Sequence, residues 1–448
     1  MATTIPPPPH YYDTHADDDS PAPYLPPYSP DALDSERVLP DDHSSPSLLT
    51  QPLRIINAEQ LWSGSHSFVY ESAMMQISMG TRFWGLDTPA YGAHGLVEGT
   101  LRLGKKCTHT YKVTATLLGK GRITATSRGV ITDVCDRLLV SDTIPLSPGP
   151  CEDEFYPTES PFSFCIPFPP SAPDGKDPLP PSFAAWLPGI LCEIEYVLKI
   201  DMYRKGMRRH EGRIIPLQYL PKSWPPHAPF RQNIMHLSSS GRAQLRIVRL
   251  LETRPADGSR TSTSDPSATS VLASFPAANH VSSGHHVSFK ITVRSPSSPA
   301  LAHLYAQGVD VTLFKQMRVY VDNGRRVIGG RKVTLGQGLV VETDVSHEGY
   351  ATLRCDVTVG EPGAEQSWGV DGLMEIAHYI HVSVRIPEGT GIVAPSYLHD
   401  ERVFIATEPW GTRERELLQL GGMSAPALGM KGLVTDQPCR KNRMSMTW

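Results

Sequence analysis

The stretch ILCEIEYVLKIDMY (Ile190 to Tyr203) sets the tightest limit on what this chain can fold into. Ile190, Cys192, Ile194, Tyr196, Leu198, Ile200 and Met202 fall in one phase. Glu193, Glu195, Lys199 and Asp201 fall in the other. Side chains alternate between the faces of a strand, so this pattern describes a long strand with one buried face. A helix would scatter the same carboxylates around its circumference. RKGM (Arg204 to Met207) supplies a glycine turn, and RRHEGRIIPLQY (Arg208 to Tyr219) reads as the return strand of a hairpin.

The same texture extends in both directions. Strands are expected at 53–58, 66–71, 95–103, 110–118, 121–133 and 162–168. LPKSWPPHAPF (Leu220 to Phe230) is a proline-rich break. Beyond it, 286–293, 308–321 and 373–387 alternate again. A Ser/Thr-rich loop at 254–270 interrupts the second region, and one short helix is expected near Thr412 to Leu420. Two strand-rich regions with few helices predict an all-β protein of two tandem immunoglobulin-like antiparallel β-sandwiches with disordered termini. The expected divisions are a tail at 1–50, a sandwich at 51–223, a linker at 224–240, a second sandwich at 241–412 and a tail at 413–448.

Composition supports a globular body with an unusual start. Apolar residues are 40% and charged residues 20% of the 448, enough for sizeable cores. Residues 1–50 hold nine Asp/Glu and one Arg, a net charge of about −8, against −4 for the whole chain. An acidic, proline-rich start suits a solvated tail. The remainder, at about +4, is too weakly basic to suggest nucleic acid. The seven cysteines are odd in number and form no C-x-x-C, which suggests free thiols in a reducing compartment rather than a disulfide framework or zinc site. No signal peptide and no 18-residue apolar run is evident, so a cytoplasmic protein is expected.

IPPPPHYYD (Ile5 to Asp13) stands out within the tail. Pro8-Pro9-His10-Tyr11 is a P-P-x-Y sequence, the ligand of WW domains. Successive prolines pre-set a polyproline II helix, so docking loses little entropy. The bland alternative is a proline-rich tail with no partner. Arg204, Lys205, Arg208 and Arg209 cluster at the expected hairpin tip. They could meet anionic lipid headgroups or an acidic transporter tail, or they could simply be a solvated hairpin end. Ser29, Ser45 and the 254–270 loop offer phosphate acceptors. Catalytic and cofactor motifs are missing: there is no Gly-rich phosphate loop, G-x-S-x-G or H-E-x-x-H. His378 and His381, three apart on an expected strand, point to opposite faces and make poor co-ligands.

Several of these pieces, in this order, resemble the arrestin family, in particular fungal α-arrestins. FSFCIPFP (Phe162 to Pro169) is similar to the family's F-x-F-x-[IL]-P strand, and LPPSF (Leu179 to Phe183) to its Pro-Ser-Phe loop. EIEYVLKIDMYRKG (Glu193 to Gly206) and IIPLQYLPKSWPP (Ile214 to Pro226) resemble its long hairpin and inter-domain exit. Val97 to Lys120 fits its early strand and loop, and HYIHVSVRIP (His378 to Pro387) a late strand of the second domain. The resemblance implies a two-lobed β-sandwich without an active site. It implies an adaptor that brings a WW-domain ubiquitin ligase of the HECT class to membrane transporters or receptors for ubiquitination and internalisation, with recruitment to plasma membrane or endosomes. On such a body, Pro8 to Tyr11 becomes the ligase-binding motif. The alternative is a ligase-independent trafficking or scaffold protein related to arrestin-fold subunits of endosomal sorting coats.

Overall fold

The computed structural model describes residues 66–431 apart from 83–85, 106, 108, 147–160, 174, 176, 207–209, 231–232, 236–243, 254–268, 322–323 and 346. The tail at 1–50, the strand expected at 53–58 and nearly all of the loop at 254–270 lie outside the described residues. In the first region the chain forms β1 (His66–Glu71), β2 (Met75–Arg82), β3 (Ala90–Tyr91), β4 (Leu96–Leu103), β5 (Thr110–Ser127), β6 (Val130–Pro145), β7 (Phe162–Pro167), β8 (Phe183–Leu187), β9 (Ile190–Arg204) and β10 (Glu211–Tyr219). In the second it forms β11 (Leu245–Arg249), β12 (Leu251–Thr253), β13 (Ser270–Pro276), β14 (His280–Ser282), β15 (His286–Arg294), β16 (Val309–Val321), β17 (Arg326–Gln337), β18 (Leu339–Asp344), β19 (Tyr350–Thr358), β20 (Trp368–Val370), β21 (Met374–Val384) and β22 (Ser396–Ala406). Helix α1 (Pro299–Gln307) precedes β16, and α2 (Arg413–Gln419) follows β22.

Each region is a sandwich. In the first, the sheet β1-β2-β4-β7 faces the sheet β3-β10-β9-β5-β6, to which β8 adds by pairing β9. In the second, β11-β13-β15-β19-β18 faces β12-β22-β21-β16-β17, with β14 on β22 and β20 on β21. Apart from the short parallel pairs β3–β10 and β14–β22, the described ladders are antiparallel. The all-β, two-sandwich expectation is borne out.

The phase read from Ile190 to Met202 is the buried face of β9. Its middle and end pack on Val97, Leu101 and Ile166 of the opposite sheet within one core. Tyr91, Phe168, Tyr196 and Tyr219 form an aromatic knot there, with Phe168 stacked on Tyr219 at 4.5 Å between centroids. The second core gathers Phe275, Phe289, Ile291, Leu353, Ile380 and Val382.

Three expectations need correction. The strands expected at 110–118 and 121–133 are one strand, β5, and the hairpin turn comes later. Arg128 and Gly129 make it with φ of 52° and 81°, the two left-handed residues that a tight hairpin requires. Gly119 and Gly121 do not break β5, because other side chains fill the space a Cβ would take. A Cβ at Gly119 would lie 2.6 Å from the Tyr196 ring, and one at Gly121 would lie 2.5 Å from Leu373.

Helix α1 was not expected. Pro299 opens it, in the first turn where a missing N–H costs nothing, and Ala302 and Tyr305 are buried against the second core.

The C-terminal tail expected from 413 is ordered through 431. Helix α2 matches the expected short helix. The chain then returns to the first sandwich. Ser424 N–H donates to the Ala93 carbonyl (3.1 Å) and Ala427 N–H to that of Leu220 (2.9 Å), and Met430 and Ala427 pack on Leu220.

Candidate functional site

The sandwiches meet through their long strands. On β9 the buried phase runs unbroken from Tyr196 and Leu198 to Ile194, Cys192 and Ile190, towards the second sandwich. On β16, Val311 and Leu313 belong to the second core, while Met317 and Val319, in the same phase, join the cluster of the first. On β21, Ile380, Val382 and Val384 pack on the second core, and Met374 and Ile376 on the first. Each sandwich therefore extends a limb of sheet over the other. Leu373 sits against Gly121, and Ile190 against Gly329. Phe183 meets Trp368 edge to face at 5.2 Å. Polar contacts rim the seam: Arg137 donates to the Asp371 carbonyl at 2.6 Å, and Arg326 pairs with Asp133 at 3.3 Å.

Polar residues occupy the point where the buried face passes from one core to the other. Lys315 of β16 and His378 of β21 are direct cross-strand partners, and both lie in the buried phase of their strands. Glu365, on the segment leading into β20, reaches in between them. The Lys315 ammonium lies 2.9 Å from both Glu365 oxygens. Their side chains are 19% and 12% exposed, and His378 is fully buried. His378 Nε2 lies 3.3 Å from Glu365 Oε2, and its Nδ1 lies 2.8 Å from Ser367 Oγ.

Proton positions follow from chemistry. The carboxylate can only accept, so Nε2 carries the proton, and Ser367 Oγ–H donates to Nδ1. Burial lowers the pKa of His378 despite the adjacent carboxylate, which keeps the ring neutral at pH 7. Burial alone would raise Glu365, but the His378 hydrogen bond and Lys315 outweigh it and hold the carboxyl below its ordinary value.

Ser367, His378 and Glu365 are connected in the manner of a hydrolytic triad, yet Ser367 serves as a pin. Its N–H donates to the Ile405 carbonyl and its Oγ accepts the Ile405 N–H, both at 2.9 Å. These bonds fix the Glu365 segment to β22. Ser283 Oγ accepts the Glu365 N–H at 3.2 Å and donates to the Glu361 carbonyl. The cluster thus holds one loop against three neighbouring strands of the second sandwich, β16, β21 and β22.

A second set of bonds ties the exit of the first sandwich to that of the second. Ser223 N–H donates to Thr407 Oγ1 at 2.9 Å, and Thr407 N–H returns to Ser223 Oγ at 3.1 Å. Trp224 Nε1–H donates to Thr412 Oγ1 at 3.0 Å. Lys222 pairs with Glu416 at 3.0 Å and Glu408 at 3.7 Å. Of the expected linker, Trp224 at its start takes part in this ladder.

The residues singled out in the sequence fare unevenly. Pro8, Pro9, His10 and Tyr11 lie outside the described residues, as do Arg208, Arg209, Ser29 and Ser45. Lys205 is exposed. Arg204 is not a surface residue. It is 9% exposed, with its guanidinium 3.7 Å from the Met74 sulfur. It falls two residues beyond Met202, in the buried phase of β9, so the alternation itself carries it inward.

His378 and His381 do face opposite ways, and His381 pairs with Asp400 at 2.6 Å on the outer side. Sequence reasoning missed the Lys315–Glu365–His378 cluster. A lysine in the apolar phase of β16 and a histidine in that of β21 were the available signals. Among the described residues, no cluster of His, Cys, Asp and Glu could hold a metal ion, and no helix is long and apolar enough to cross a membrane. No protein-family model and no curated protein matches this chain.

Proposed function

We propose that this protein is an α-arrestin-like adaptor that recruits a WW-domain HECT ubiquitin ligase to membrane transporters or receptors. The observation that carries the reading is the pairing of a P-P-x-Y sequence, Pro8 to Tyr11, with a body of two antiparallel β-sandwiches joined limb over limb. An adaptor must hold two partners at a fixed spacing. The contacts that cross between the sandwiches, the Ser223–Thr407 ladder, Arg137 on the Asp371 carbonyl and the Arg326–Asp133 pair, support such rigidity. A polyproline segment suits the other half of the task, because an extended ligand docks with little loss of entropy.

The reading is tested by ubiquitin transfer in cells expressing the full chain or Tyr11→Ala. Ubiquitination of a co-purifying membrane protein should depend on the chain and fall in the variant. Unchanged transfer with Tyr11→Ala would overturn the reading and favour a scaffold that acts without a ligase.

A further inference from the structure

The five-stranded sheet of the second sandwich ends in β11 on one side and β18 on the other. Among the described residues neither strand pairs on its outer side, so each presents a row of backbone N–H and C=O groups there. Both edges are apolar as well. On β18, Leu339 is 71% and Val341 55% exposed. The ladder with β19 shifts between Val340 and Glu342, which leaves Val341 outside the pairing. On β11, Ile247 is 65% exposed. The lysines and prolines that commonly blunt an edge are absent from both strands. The edge strand β17 of the larger sheet differs, because the first sandwich lies against it: Ile190 sits beside Gly329, and Arg326 pairs with Asp133. The two apolar edges also carry opposite charge. β11 (LRIVR) holds Arg246 and Arg249 and no acid, while β18 (LVVETD) holds Glu342 and Asp344 and no base. Arg246 turns inward to Glu401, and Arg249 and Asp344 are exposed.

We propose that β18 of one copy of this chain docks beside β11 of a second, so that copies associate head to tail through one continuous sheet. Main-chain hydrogen bonds supply the pairing, as when an extended segment adds to a sheet edge. Covering Leu339, Val341 and Ile247 removes apolar surface from water. Charge selects the partner. β18 beside β18 would set carboxylates against carboxylates, and β11 beside β11 arginines against arginines, and like charges across paired strands are destabilising. The mixed pairing sets acids against arginines. Because the two edges bound opposite sides of one sheet, a docked copy still offers its other edge. The contact is therefore heterologous, and association continues past a dimer. Each copy brings one Pro8–Tyr11 segment, so a row of copies multiplies the ligands offered to a partner with several WW domains. That consequence rests on the adaptor reading, whereas the association itself does not.

Sedimentation velocity of the full chain, from micromolar to near-millimolar concentration, tests this. Val341→Lys blocks one edge and Ile247→Asp the other. The unaltered chain should gain mass steadily with concentration, past two copies. Each variant alone should stay monomeric, because each lacks one of the two edges. Mixed in equal amounts, the variants should form a one-to-one pair and go no further, since the intact β11 of one meets the intact β18 of the other. Circular dichroism checks that both variants are folded, and pairing in the mixture shows that each keeps a working edge. The proposal is overturned if the unaltered chain stays monomeric or stops at two copies. It is equally overturned if either variant alone associates as the unaltered chain does, or if the mixture stays monomeric or grows beyond a pair. Binding of a WW domain is read in a separate assay, so the adaptor reading and this one can fail independently.

Discussion

Replacing Lys315 with Met should be among the most damaging single changes at the seam. The substitution keeps the side chain's bulk but removes the ammonium that lies 2.9 Å from both oxygens of Glu365. Glu365, 12% exposed, would keep, among the described residues, only the His378 Nε2–H at 3.3 Å as a side-chain partner. Breaking a buried pair from one side costs about 3–5 kcal/mol. Because both groups retain some access to water, a loss of about 2–3 kcal/mol is expected here. Glu365→Leu should cost a similar amount, since it strands the ammonium and leaves His378 Nε2–H without its acceptor.

The double variant Lys315→Met, Glu365→Leu should cost clearly less than the two single losses added. The expected coupling is at least about 1.5 kcal/mol. Urea unfolding of the full chain, followed by circular dichroism and tryptophan fluorescence, gives all four corners of the cycle. Single losses below about 0.5 kcal/mol that simply add would mean that the pair is no more than a solvated surface contact. The reasoning about the seam would then be refuted.

Two further outcomes follow from the same geometry. His378 has its folded pKa depressed below 6.5 by burial, so its neutral form contributes stability that is fully present above pH 6.5 and is lost as pH falls through the folded value. Glu365, also depressed, loses its contribution only lower, below its ordinary 4.5. The urea midpoint of His378→Gln should therefore fall less steeply between pH 6.5 and 5 than that of the unaltered chain. Parallel curves would contradict the placement of a neutral imidazole at the seam. Gly92→Val should dislodge the returning segment, because a Cβ there would lie 2.2 Å from the Ser424 carbonyl and 2.6 Å from that of Ala425. Faster amide exchange over 423–431, with the β9–β10 hairpin unchanged, is the expected reading. Unchanged exchange would mean that the segment is not seated there.

What could be read from the sequence was the part governed by period. The alternation from Ile190 to Met202 gave β9 its length and its buried face, and β1, β7, β15 and β16 emerged with ends near those expected. The misreadings arose where a residue's role depended on a distant partner. Gly119 looks like a break until Tyr196 is seen to fill its missing Cβ position. Arg204 looks like a hairpin tip because its charge drew more weight than its phase. Helix α1 is too short for a periodic signal, and Pro299 at its start passed for part of a loop. The cluster at the seam was hidden because Glu365 lies 50 residues from Lys315 and 13 from His378. Nothing local marks it as their partner.

The adaptor account stands most directly on the encounter between Pro8–Tyr11 and a WW domain. The decisive measurement is a fluorescence-anisotropy titration of a labelled HECT-ligase WW domain with the full chain and with Tyr11→Ala. The tyrosine pocket predicts saturable binding by the unaltered chain and a loss of at least about tenfold, near 1.4 kcal/mol, in the variant. Equal binding by the two proteins, or none by the unaltered chain, would contradict it.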